Sequence, residues 1–140
     1  MSSRRTSVRA RYDLTKDFYE TPAWATDAIL RRLPLVDALD VLDPCAGRGA
    51  ILYRAAAVTP HVRGFELDEG RWQTSVANGL AVEHRDALSG VPWGDPEIVL
   101  MNPPFALAEK FVRRALDEVG SAGRHVFALL RLAFLEGQSR

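Results

Sequence analysis

Short apolar runs alternate with stretches of helical spacing along most of this chain, and that alternation leaves few folds open. Leu39–Asp43, His61–Phe65, Leu80–His84, Glu97–Met101 and His125–Leu130 read as strands. Ile51–Val58, Glu69–Asn78 and Leu107–Val119 read as helices between them, and Ala23–Leu33 as a helix ahead of the first strand. Strands that alternate with helices build βαβ units, which give a parallel sheet covered on both faces. Val41-Leu42 and Ile98-Val99-Leu100 are apolar at successive positions, as strands buried on both faces require. The expected fold class is α/β, a mostly parallel sheet of about five strands flanked by helices. Thr21 is expected as the N-cap of the first helix, with Pro22 at its first helical position. Trp24, Ala28, Ile29 and Leu33 form its expected apolar face. Ile51, Leu52 and Ala55 are expected to face inward on the next, and Phe111, Ala115, Leu116 and Val119 on the last.

The strands end on residues with chemistry: Asp43, Glu66, Asp86 and Asn102. In a parallel sheet these ends share one edge, and ligands bind in the crevice beyond it. The sharpest stop is Asn102-Pro103-Pro104-Phe105, because neither proline has the N–H that a central strand needs. The turn presents an amide and an aromatic ring, a pair suited to a flat, hydrogen-bonding molecule. Taken alone, it is equally well a stiff strand-to-helix corner. Asp43 leads into Pro44-Cys45-Ala46-Gly47-Arg48-Gly49, where glycines without a Cβ let the backbone approach a ligand. Leu52 stands where the dinucleotide fingerprint needs its third glycine, and no Lys-Ser/Thr follows to make a Walker loop. A carboxylate placed like Glu66 can accept both hydroxyls of a ribose. One placed like Asp86 can accept from the exocyclic amine of an adenine. Each also serves as a solvated charge or a cap.

Composition removes other classes. At 140 residues the chain is one domain. A formal net charge of zero gives no bulk electrostatic argument for nucleic acid. Arg4, Arg5, Arg9 and Arg11, set among serines and Thr6, suggest a basic arm over residues 1–16 that can lie along phosphates; a frayed terminus explains them as well. Cys45 is the single cysteine, which excludes an internal disulfide and a multi-Cys zinc site; no metal is expected. No apolar run approaches the roughly 18–20 residues that span a bilayer. The Ser- and Arg-rich start lacks the apolar block of a secretory signal, so a cytoplasmic location is expected.

The motifs together resemble a family. Asp43–Gly49 resembles the first motif of class I S-adenosylmethionine-dependent methyltransferases. Asn102-Pro103-Pro104-Phe105 resembles the fourth motif of those that methylate an exocyclic or amide nitrogen. Phe18-Tyr19-Glu20-Thr21-Pro22 is similar to the amino-terminal motif of adenine-N6 DNA methyltransferases. Leu129–Leu135 is similar to a late segment of small phage and prophage members. The resemblance covers most of residues 17–135, so a methyltransferase domain is expected over 17–140. It implies a Rossmann-like fold, S-adenosylmethionine as cofactor, and methyl transfer to the N6 amine of adenine in DNA. It also implies roles. Asp43, Ala46, Gly47 and Gly49 would line the methionine part of the cofactor, with Tyr19, Thr21 and Pro22 at its methionyl end. Glu66 would take the ribose hydroxyls and Asp86 the adenine amine. Asn102 and the Pro103 carbonyl would accept from the target amine, and Phe105 would stack on a base flipped out of the duplex.

Such chemistry needs neither a metal nor a covalent intermediate. Two acceptors aimed at the hydrogens of an adenine amine favour a tetrahedral nitrogen with a localised lone pair, ready for in-line attack. Phe105 stands where tyrosine is commoner, and Asn102 where aspartate occurs in relatives. The same tetrapeptide is shared by RNA adenine and protein glutamine methyltransferases. Cys45 lies in the cofactor loop, which speaks against a role as nucleophile. The family sheet continues with a further helix and an antiparallel pair, which nothing after Gly137 supplies. The corresponding expectations are a truncated methyltransferase domain that lacks the antiparallel strands, a minimal member completed by a homodimer or a partner over the bare sheet edge, or a non-catalytic cofactor- or nucleic-acid-binding module.

Overall fold

The computed structural model describes residues 18–33, 40–120, 124–131 and 134–135. The basic arm expected over 1–16 lies outside the described residues. The elements in chain order are α1 (Ala23–Leu30), β1 (Val41–Asp43), α2 (Ala50–Ala55), β2 (Val62–Glu66), α3 (Glu69–Ala77) and β3 (Val82–His84). They continue with β4 (Ile98–Met101), a 3-10 turn (Phe105–Leu107), α4 (Ala108–Val119) and β5 (His125–Ala128). The five strands form one sheet in the order β3-β2-β1-β4-β5. Every pairing among the described residues is parallel. The α/β expectation therefore holds.

Successive strand residues feed opposite faces. Leu42, Val99 and Met101 join Phe65, Trp93, Phe111, Ala115 and Val119 on one side. Val41, Ile98 and Leu100 join Leu30, Leu33, Ile51 and Ala55 on the other. The apolar runs in β1 and β4 arise from this two-sided burial. The chain runs outward from β1 through β2 to β3, then returns past β1 to β4. The direction of winding changes between β1 and β4, so the crevice of a parallel sheet opens there.

Three details depart from expectation. Pro22, not Thr21, occupies the cap position of α1, in extended backbone and with no side-chain cap bond. Its carbonyl accepts from Ala25 N–H at 3.0 Å, while Thr21 is turned to the crevice. Trp24 is 72% exposed, because α1 instead buries Ala25, Thr26 and Leu30 and packs Leu30 with Ile51 and Ala55 of α2. A fork of Arg54 onto the Asp27 carboxylate also ties these two helices. Leu116 is 56% exposed; the buried line of α4 is Ala108, Phe111, Ala115 and Val119, and Leu116 lies one position round from it. The inward residues of α2, Ile51, Leu52 and Ala55, are all buried.

Candidate active site at the carboxyl edge of the sheet

The strand ends frame a cleft that encloses about 770 Å³ of empty space, open solvent at its mouth included. Asp43 is the last residue of β1 and Glu66 the last of β2. Asn102 follows β4 directly, whereas Asp86 lies two residues past the end of β3. All four line the cleft.

The loop after β1 forms the floor. It can lie flat on β2 because Gly64 has no side chain. A Cβ there would stand 2.7 Å from Leu52 Cδ1 and 2.9 Å from the Asp43 carbonyl oxygen. Ala46 N–H donates to the Phe65 carbonyl at 2.9 Å and fixes the loop to that strand. Gly47 then turns with φ +59°, a left-handed conformation that glycine adopts without strain. Its N–H donates to Glu66 Oε1 at 2.8 Å, and Asp68 N–H donates to Glu66 Oε2 at 2.7 Å. Glu66 is buried, and these two donors hold its carboxylate in place. Each oxygen keeps a lone pair for a further donor.

Asp43 is almost wholly buried beside Glu66. Burial raises its carboxyl to about 7; the Glu66 charge adds to the rise, and the Cys45 N–H, which donates to Asp43 Oδ1 at 3.0 Å, opposes it. Burial also pushes the Cys45 thiol well above its ordinary value, with Asp43 and Glu66 adding to the effect. A neutral thiol is a poor nucleophile, in line with the expectation for this residue.

Residues 18–22 cross the edge of the sheet from the loop to the Asn102 turn. Phe18 covers Gly47, so that a Cβ on the glycine would come within 2.8 Å of the ring. The Arg71 guanidinium lies 3.8 Å from the same ring centroid, with Arg48 at 5.4 Å. One residue on, the Tyr19 carbonyl accepts from Asn102 Nδ2 at 2.8 Å. That bond commits one of the two N–H donors of the Asn102 amide to the backbone. The oxygen keeps its acceptor capacity.

The structure brings Tyr19, Thr21, Asp43, Ala46, Gly47, Glu66, Asp86, Asn102 and Pro104 to the cleft wall. Pro22, Gly49, Pro103 and Phe105 do not line it. Pro22 caps α1, and Gly49 caps α2 with φ +93°, where a side chain would collide with Leu80. Pro103 is fully buried. Phe105 opens the 3-10 turn, its ring covered by the Arg131 guanidinium at 4.5 Å. Asp86 also holds its own turn, its Oδ1 accepting from Leu88 N–H at 2.8 Å. Phe18, Arg48, Arg71, Arg85 and Phe111 line the cleft without having been singled out as site residues from sequence. Arg71 carried one signal. It lies in the first turn of α3, where the helix dipole disfavours a cation unless something else holds it.

No protein-family model matches the sequence, and no curated protein does. Solved structures do match. A putative class I S-adenosylmethionine-dependent methyltransferase from Listeria monocytogenes superposes with a TM-score of 0.73 at 12% identity, over 92% of this chain and 51% of that one. This chain shares the Rossmann-like fold of that structure. The 23S rRNA methyltransferase ErmE shares this fold with a TM-score of 0.68 at 17% identity, over 87% of this chain and 51% of its own. An RNA methyltransferase from Salinibacter ruber in complex with S-adenosyl-L-homocysteine gives 0.66 at 17% identity, over 81% and 80%. The chain thus spans about half the length of the first two structures.

Proposed function

We propose that this chain is an S-adenosylmethionine-dependent methyltransferase acting on the exocyclic N6 amine of adenine in DNA. The observation that carries the reading is the orientation of Asn102. One N–H of its Nδ2 is bonded to the Tyr19 carbonyl, which fixes the orientation of the amide and leaves its oxygen as an acceptor, at the end of β4 and beside the loop after β1. An acceptor there suits an amine as the group that reacts.

The residues present fit the cofactor. Thr21, Asp43, Ala46 and Gly47 would hold the methionine part, Glu66 the ribose hydroxyls and Asp86 the adenine amine. Bound there, S-adenosylmethionine supplies an electrophilic methyl group on a sulfonium. Asn102 Oδ1 accepts a hydrogen of the target amine and favours a localised lone pair on its nitrogen; the Pro103 carbonyl, implied as a second acceptor, would have to be uncovered first. Phe105 offers its ring to a base taken out of the stack.

The DNA acceptor is favoured by the Phe18–Pro22 and Leu129–Leu135 segments. A second reading, RNA adenine, is favoured by ErmE and the Salinibacter enzyme, RNA methyltransferases of the same fold. The test supplies labelled cofactor with adenine-containing DNA, RNA of the same sequence, or a glutamine peptide. The expected label is N6-methyladenine in DNA. Label in RNA or peptide alone would move the acceptor and keep the chemistry, and no label in any of the three would overturn the reading.

A further inference from the structure

Phe105, the stacking plate of the proposed acceptor site, is already covered by a cation. The Arg131 guanidinium carbon lies 4.5 Å from the ring centroid. Arg131 stands just past β5, on the same carboxyl edge as Asn102. Leu129 N–H donates to the Met101 carbonyl at 2.9 Å, so the segments of β4 and β5 remain paired up to the Asn102 turn. Arg54, Arg63, Arg85, Arg113, Arg114 and Arg124 each hold a carboxylate. Among the described residues no carboxylate pairs with Arg131, which is exposed.

A guanidinium is flat, permanently charged and carries a fork of N–H donors that matches a phosphate. A contact that an exposed guanidinium makes with a half-buried ring is weak and readily exchanged. We propose that Arg131 binds the phosphodiester of the target nucleotide, leaving the Phe105 ring to the incoming base. The inference rests on the function proposed above and deepens it, because it makes the acceptor a nucleotide within a polynucleotide strand. Moving Arg131 off the ring breaks no ion pair with a described residue. The base then takes the stacking face that the guanidinium held, and the phosphate takes its charge. An uncharged acceptor such as a glutamine side chain offers Arg131 nothing in exchange.

The test is binding of labelled single-stranded DNA and RNA oligonucleotides by the full chain across a salt series. The logarithm of affinity should fall linearly with the logarithm of salt. Arg131→Ala should bind more weakly at low salt and lower that slope by about 0.7, the share of one single-strand phosphate contact. Arg131→Lys should keep the slope, and Arg131→Gln repeats the neutral test should the alanine variant fail to fold. A loss on DNA, on RNA or on both identifies the strand whose phosphate is held. Unchanged affinity and slope in the neutral variants on both strands would overturn the proposal, as would a wild-type chain that binds neither. Transfer of labelled methyl is followed in the same samples. Strand binding that depends on Arg131 without any transfer would refute the reaction and leave the phosphate contact standing.

Discussion

Asn102 does two jobs with one amide. Its Nδ2 ties the crossing segment through the Tyr19 carbonyl, and its oxygen is left as an acceptor. Aspartate cannot do the first job, because a carboxylate has no N–H to donate. Asn102→Asp should therefore set two oxygens against each other, weaken the tie by about 1 kcal/mol, and speed hydrogen exchange over residues 18–22. Unchanged exchange there would refute the tie. Gly47 is constrained from two sides, by its left-handed φ and by the Phe18 ring above it. Gly47→Ala should destabilise the fold by about 1–2 kcal/mol from backbone strain alone. Denaturant titration of F18A, G47A and the double variant should show coupling, since removing the ring removes the second constraint. Asp43 titrates near 7 in the folded chain, against about 4 when unfolded. The folded state then holds the proton longer, so this group's contribution to stability is full below about pH 4 and is lost as pH rises toward 7. Asp43→Asn should flatten stability across that window; an unaltered profile would mean that Asp43 ionises normally in the fold.

At the scale of elements, the alternation of strands and helices was legible because two-sided burial writes consecutive apolar residues into β1 and β4. The strand-end acids were legible for a related reason, since charge can return only where the sheet ends. Helix faces were harder to read. Trp24 and Leu116 have the right spacing but lie one position off the line that α1 and α4 bury. The crossing segment was legible as a motif, but its fit over Gly47 was not, because contact between residues 18 and 47 is a tertiary fact. Phe105 matched its motif, yet it lies outside the cleft wall, and the Arg131 contact could not be anticipated from spacing. Gly64 matters at this scale too. It lets the loop after β1 lie on β2, and a Cβ would meet backbone as well as side chains. Gly64→Ala should cost about 1–3 kcal/mol in chemical denaturation, and it should weaken cofactor binding through Gly47 and Glu66 although it touches neither ligand nor solvent.

For the whole molecule, acids and backbone donors line the cleft at the switch in winding, with arginines stacked on rings at either side. Among the described residues no helix is long and apolar enough to cross a membrane. If the cleft binds the cofactor, S-adenosylhomocysteine at 100 times its Kd should stabilise the chain by about 2.7 kcal/mol, seen as a rise in Tm that grows with ligand concentration. In the proposed reaction Asn102 accepts from an amine that receives a methyl group. The most direct test of this role is the rate of labelled methyl transfer to adenine-containing DNA by the wild-type chain and by Asn102→Ala at saturating cofactor. Transfer by the wild type and a loss of about 100-fold or more in the variant are expected. Equal rates in the two proteins would contradict this role.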